Sequence, residues 1–208
     1  MKVLVACEES QAVTKALRAL GHEAYSNDLS ECSGGHPEWH LQMDCFSAIK
    51  SGEWGMIIMH PPCTAMTVSG NSTYGKNPDG SWKPKHQERI DAVKWTQQLW
   101  DLATSVCDKV AMENPVGVLN TMGNFPKANY VHPWQFGHME QKKTGLWLYG
   151  LSPLKEVDNV FEAMMELPKS ARERLHYLPP SEDRARLRSK TYKGIAEAMA
   201  QQWGGLNA

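Results

Sequence analysis

Apolar positions along the chain alternate between short unbroken runs and longer helical stripes. "KVLVACE" (2–8) is apolar and rich in β-branched residues, and reads as a strand. "SQAVTKALRALG" (10–21) follows as a helix, with Val13, Ala16, Leu17 and Leu20 on one face, Ser10 in capping position and Gly21 at its end. "HEAYSNDL" (22–29) returns as a strand ending in Asp28. A turn-rich loop, "SECSGGHPEWH" (30–40), leads to "LQMDCFSAIKSG", and Met56-Ile57-Ile58-Met59 forms a short buried strand. Residues 64–86 are rich in Gly, Ser, Asn, Pro and Thr and read as a long loop. An amphipathic helix is predicted over 85–106, its stripe made of Ile90, Val93, Gln97, Trp100 and Ala103–Thr104, joined by Leu99 and Val106. Strands follow at 109–119 and 144–151, and a helix at 190–205.

A β-α-β unit at the start, followed by more strands and helices in alternation, predicts an α/β fold with a mostly parallel sheet and helices on both faces. In such sheets ligands bind in the crevice at the carboxyl ends of the strands. Asp28, Cys63 and Glu113 all fall just past predicted strand ends. Pro61-Pro62 and Asn114-Pro115 make two of those exits stiff, because proline fixes φ and donates no ladder hydrogen bond. A thiol held on such a turn suits a nucleophile, and a carboxyl group on the neighbouring one suits a partner for a ring nitrogen. A buried structural cysteine and a helix-capping or surface acid are the plainer alternatives.

At 208 residues the chain is expected to form one domain over 1–208. Its formal net charge of −1 gives no global attraction to nucleic acid, so such binding needs a local basic patch. Three segments offer one: 74–89, Lys142-Lys143, and 184–193, where Arg184, Arg186 and Arg188 suit an extended basic edge. Five scattered cysteines, an opening that runs straight into a strand, and no apolar run of membrane-spanning length predict a reducing, cytoplasmic setting with no membrane contact. Cys32, His36, His40 and Cys45 form a weak candidate zinc set, their spacing unlike a common finger; no metal is expected. Runs at 131–138 and 175–180 gather aromatic and histidine residues that suit either packed loops or base stacking.

Taken together, "HPPCTAMTVSG" and "ENP" (113–115) resemble the Pro-Cys and Glu-Asn-Val motifs of the cytosine-C5 DNA methyltransferases. The N-terminal β-α-β is similar to their S-adenosylmethionine-binding segment, and "KTYKGIAEAMAQQW" to their last motif, in the same linear order. "SGGHPEWH", "PWQFG" and "KKTGLWL" are shared with small phage and prophage proteins of this type. The resemblance implies a Rossmann-like class I methyltransferase fold, S-adenosylmethionine as cofactor, and DNA as substrate. Cys63 would attack C6 of a flipped-out cytosine while Glu113 holds N3 and the amino group. Asp28 would hold the cofactor ribose and Asp44 its adenine amino group, with Cys7, Glu8, Ser10, Leu29, Cys45 and Pro61 completing that pocket. Lys142 and Lys143 stand where the family places arginines near the target base.

The family's glycine-rich cofactor loop is replaced by "ACEESQAV". Only residues 152–189 stand where these enzymes usually carry a target-recognition domain. Two other readings therefore stay open: an enzyme for a free nucleotide or single strand, and a catalytically decayed nucleic-acid binder. For a DNA enzyme, target readout is then weak or falls to the 64–86 loop, an oligomer or a partner protein. The amino-methyltransferase pattern, with an acid or amide before Pro-Pro and an aromatic after it, fits "HPPC" less well.

Overall fold

The computed structural model describes residues 1–179, 181 and 183–205. Pro180, at the end of the 175–180 run, and the last three residues lie outside them. The chain begins with β1 (Lys2–Ala6), α1 (Ala12–Ala19), β2 (Glu23–Asp28), β3 (His40–Gln42), α2 (Cys45–Lys50) and β4 (Met56–Met59). It continues through α3 (Asn71–Tyr74), α4 (His86–Val106), β5 (Val110–Pro115), α5 (Leu119–Met122), β6 (Asn129–Val131) and β7 (Thr144–Tyr149). Short helices α6 (Phe161–Met165), α7 (Lys169–Arg172) and α8 (Asp183–Ser189) precede α9 (Lys193–Gly204).

The strands form one sheet in the order β3-β2-β1-β4-β5-β7-β6. The first five run parallel; β7 is antiparallel to β5, and β6 to β7. From β1 the chain builds outward to β2 and β3, then returns to the other side with β4. The strand order thus reverses between β1 and β4, and a crevice opens there at the carboxyl ends.

Strand side chains alternate between two cores. Leu4, Ala6, Ile57, Met59, Val110 and Met112 pack toward α2 and α4 with Trp54 and Trp100. Val3, Val5, Met56, Ile58 and Ala111 pack toward α1 and α9 with Leu17, Met199 and Trp203. Continuous apolar strands follow from this, since both faces are covered. Each fully buried leucine or isoleucine contributes roughly 1.5–3 kcal/mol.

Four local expectations are corrected. Ser10 does not cap α1: Gln11 precedes the helix at φ 55°, and no side chain at that position caps it. The Glu8 carboxylate takes over, accepting the N–H of Val13 at 2.6 Å and of Thr14 at 3.2 Å, and the Thr14 hydroxyl at 2.7 Å. The buried stripe of α4 is Arg89, Val93, Thr96, Leu99, Trp100 and Ala103; Val106, at the helix end, is exposed. Arg89 is buried because its guanidinium gathers loop acceptors, donating to Ala65 O at 2.6 Å, Asn71 Oδ1 at 2.8 Å and Thr67 O at 3.3 Å. Those bonds order the 64–86 segment, which carries a turn at Val68–Gly70, α3, and a bridge between Lys76 and Trp82. Finally, Arg184, Arg186 and Arg188 lie on helix α8, not on an extended edge.

Candidate active site

Two strand exits meet at the crevice. After Met59 the His60 N–H still donates to Ala6 O at 3.0 Å, and then Pro61-Pro62 ends the ladder. After β5 the buried Asn114 donates from Nδ2 to the Pro61 carbonyl at 3.0 Å. A proline carbonyl has no ladder partner here, and the asparagine side chain supplies one. The two exits are therefore tied directly, and Cys63 and Glu113 line the same cavity.

That cavity, of about 210 Å³, is lined by Cys7, Glu8, Glu9, Ser10 and Asp28 on the β1–β2 side. His60, Pro61, Cys63 and Glu113 form its floor, and Lys142, Arg188, Ser189 and Thr191 its far wall. Burial, and then the Glu113 carboxylate, push the Cys63 thiol up; the charges of Lys142 and Arg188 pull it back in part. Burial alone would raise Glu113 as well. The hydrogen bond from His60 and the charges of Lys142 and His60 outweigh it and hold the carboxyl below its ordinary value. Its side chain is only 12 % exposed, and Oε2 lies 3.4 Å from His60 Nδ1. Lys142 donates from Nζ to the Arg188 carbonyl at 2.9 Å, so the segment before β7 and the end of α8 close the cavity together.

Of the sequence candidates, Cys63, Glu113, Lys142, Cys7, Glu8, Ser10, Asp28 and Pro61 are brought to this one place. Lys143 is not: its ammonium sits over the Tyr130 ring, 4.5 Å from the centroid. Leu29 is 73 % exposed, and Asp44 caps α2 by accepting the Ser47 N–H at 2.9 Å. Cys45 is buried against Cys7; contact with its sulfur, followed by burial, drives the Cys7 thiol well up. The candidate zinc set does not converge. His40 spends both ring nitrogens, on Ser26 Oγ at 2.8 Å and Ser30 O at 2.9 Å, while His36 pairs with Glu38 and stacks on Trp39. Among the described residues no cluster of three or more potential ligands is present.

Three contributors escaped the sequence reading. Glu9 lines the cavity with Oε1 buried and unpartnered, its Oε2 accepting the Ser33 N–H at 3.1 Å. Asn114 was seen only as part of a turn. His60 follows β4 immediately, so the strand-end rule that singled out Cys63 also reaches it. The aromatic runs pack on themselves instead of facing the cavity: His132 stacks on Trp134, and Trp134 meets Phe161 edge-on.

No protein-family model matches the sequence, and no curated protein is significantly similar to it. Among solved structures, the methyltransferase EhMeth of Entamoeba histolytica superposes with a TM-score of 0.51 at 12% identity, over 76% of this chain and 57% of that one. A protein encoded within an E. coli prophage, described as a DNA modification methyltransferase, overlaps with a TM-score of 0.44 at 13% identity, over 71% of this chain and 46% of its own. The chain thus spans about half the length of these structures. No helix among the described residues is long and apolar enough to cross a membrane. At 12% identity the likeness to EhMeth is one of architecture: a Rossmann-like α/β fold.

Proposed function

We propose that the protein is an S-adenosylmethionine-dependent methyltransferase that acts on cytosine at C5 through a covalent bond from Cys63. The observation that carries this reading is the shared cavity of Cys63 and Glu113, at two exits tied by Asn114. A thiol and a carboxyl group in one cavity suit attack on C6 with Glu113 gripping N3. The Cys63 thiol has to lose its proton before it attacks, and Lys142 and Arg188 favour the resulting thiolate.

The acidic wall fits the cofactor. Glu9 Oε1 is a buried acceptor in want of a donor, matching an ammonium group, and Asp28 ends β2 where ribose hydroxyls would lie. Glu8 is turned inward to α1 and presents less charge to a ligand than its sequence position suggests. When bound, the cofactor supplies an electrophilic methyl group. Asp44 and Leu29, outside the cavity lining, are left out of this proposal.

A free nucleotide or single strand is favoured over a duplex by one feature. Between β7 and the last helix the described residues offer only the short helices α6, α7 and α8. Oligonucleotides carrying 5-fluorocytosine, in duplex and single-stranded form, and 5-fluorodeoxycytidylate test both readings in the presence of S-adenosylmethionine. A denaturation-resistant adduct is expected on wild type and absent from Cys63→Ser. No adduct on any substrate, with the cofactor bound, would point to the decayed binder.

A further inference from the structure

The cavity floor holds a buried ring nitrogen that none of the described residues satisfies. The His60 side chain is 8 % exposed, and its Nδ1 faces Glu113 Oε2 at 3.4 Å. Nε2 is buried without a hydrogen-bond partner among the described residues, and His60 lines the same cavity as Cys63 and Glu113. A buried polar atom without a partner costs roughly 1–3 kcal/mol, so its persistence calls for a role. With Nδ1 committed to a carboxylate, the ring's tautomer and orientation are set.

The need for such a group follows from Glu113. Ring nitrogen N3 of cytosine is a hydrogen-bond acceptor, and an ionised carboxylate is an acceptor only. Held below its ordinary value by His60 and Lys142, Glu113 would repel the atom it has to grip unless a proton joins them. We propose that His60 is a positioning residue, supplying the proton through which Glu113 holds the ring nitrogen of a cytosine base; this rests on the cytosine reading above. The proton passes from Nδ1 of the imidazolium to Glu113, and Glu113 donates to N3. The imidazole is left neutral with its hydrogen on Nε2, and release of the base reverses the transfer. No outside acid is consumed. The groups around this dyad are Glu8, from the loop after β1, whose buried carboxyl feels the His60 charge, and Lys142, before β7, which acts on Glu113. Cys63 lies on the same loop as His60.

The test is the pH dependence of 2′-deoxycytidine binding, a probe without a phosphate to titrate. A one-proton requirement makes the wild-type Kd rise about tenfold per pH unit once the free protein and free nucleoside no longer carry that proton. His60→Asn keeps an N–H toward Glu113 but carries no transferable proton. Its Kd is expected to start rising at lower pH, leaving binding about tenfold weaker than wild type on the rising limb and nearly unchanged on the acid plateau. Glu113→Gln donates an amide hydrogen to N3 at any pH, so that variant and the double variant should give flat profiles. Thermal melts establish that each variant is folded. A His60→Asn profile that superimposes on wild type, or is weakened equally at every pH, overturns the inference, as does a double variant that keeps the slope. Folded wild type that binds neither 2′-deoxycytidine nor a cytosine-containing oligonucleotide overturns the cytosine reading and this inference with it. Binding by wild type with an unshifted His60→Asn overturns this inference alone.

Discussion

The two walls of the cavity are built differently. The floor comes from adjacent parallel strands in the middle of the sheet: Glu113 and the buried Asn114 on β5, and His60 to Cys63 on the stiff exit directly after β4. The far wall, Lys142 with Arg188, Ser189 and Thr191, comes from connecting segments and a short helix, joined by one lysine–carbonyl bond. Groups on packed strands hold fixed geometry, which bond-making needs. Groups on connections with few buried contacts can shift, which suits grip and release of a ligand. The floor should therefore govern turnover together with the hold on the base's ring nitrogen, and the far wall the rest of ligand binding.

The largest expected effect separates them on that axis. Glu113→Gln should lower kcat for methyl transfer by about 10²–10⁴ while KM stays within a few-fold, because the amide donates but does not exchange a proton. Lys142→Met should do the reverse, raising KM about tenfold with a smaller change in kcat. It should also slow iodoacetamide alkylation of Cys63 several-fold, since a cation that favours the thiolate is gone. Equal kcat and KM effects in both variants would erase the distinction.

Stability sharpens the contrast further. Asn114→Ala strips the Pro61 carbonyl of its partner in a buried place and should cost about 1–3 kcal/mol in urea unfolding. Arg188→Ala, on the exposed helix, should leave the melting temperature nearly unchanged. The smallest effect is a matter of sign. Glu8 is raised by burial, so its contribution is fully present below the unfolded carboxylate's pKa of about 4.3 and is lost as pH climbs through the raised native value. Glu113 is lowered, so its contribution is present above that unfolded value and is lost as pH falls through the depressed native one. Glu8→Gln should remove the first slope and Glu113→Gln the second, read from unfolding free energies between pH 3 and 8.

The sequence revealed the floor far better than the far wall, for a physical reason. β1, β4 and β5 are buried on both faces, and proline at the exits of β4 and β5 marks where those ladders stop, so Cys63 and Glu113 are readable as strand-end residues. Arg188 reaches the cavity only because α8 folds back against the segment before β7, a contact that no local pattern encodes. Alternation of arginines suggested an extended edge, but the segment forms a helix. Asp44 caps α2 and lies outside the cavity lining; capping is a role short acids fill at many helix starts. His60 is not marked by its sequence surroundings, since a histidine after a strand carries no backbone signal of the kind the following prolines give. The α4 stripe was rotated because Arg89 and Thr96 are polar yet buried, each satisfied by a nearby acceptor.

The antiparallel course of β7 has a consequence for how the molecule tolerates added sequence. Thr144 pairs with Pro115 and Tyr149 with Val110, so β7 starts beside Cys63's edge of the sheet and finishes at the opposite rim. A peptide tag or a whole module grafted directly after Tyr149 would emerge on the far side from the cavity. The gateway itself would be left as it is.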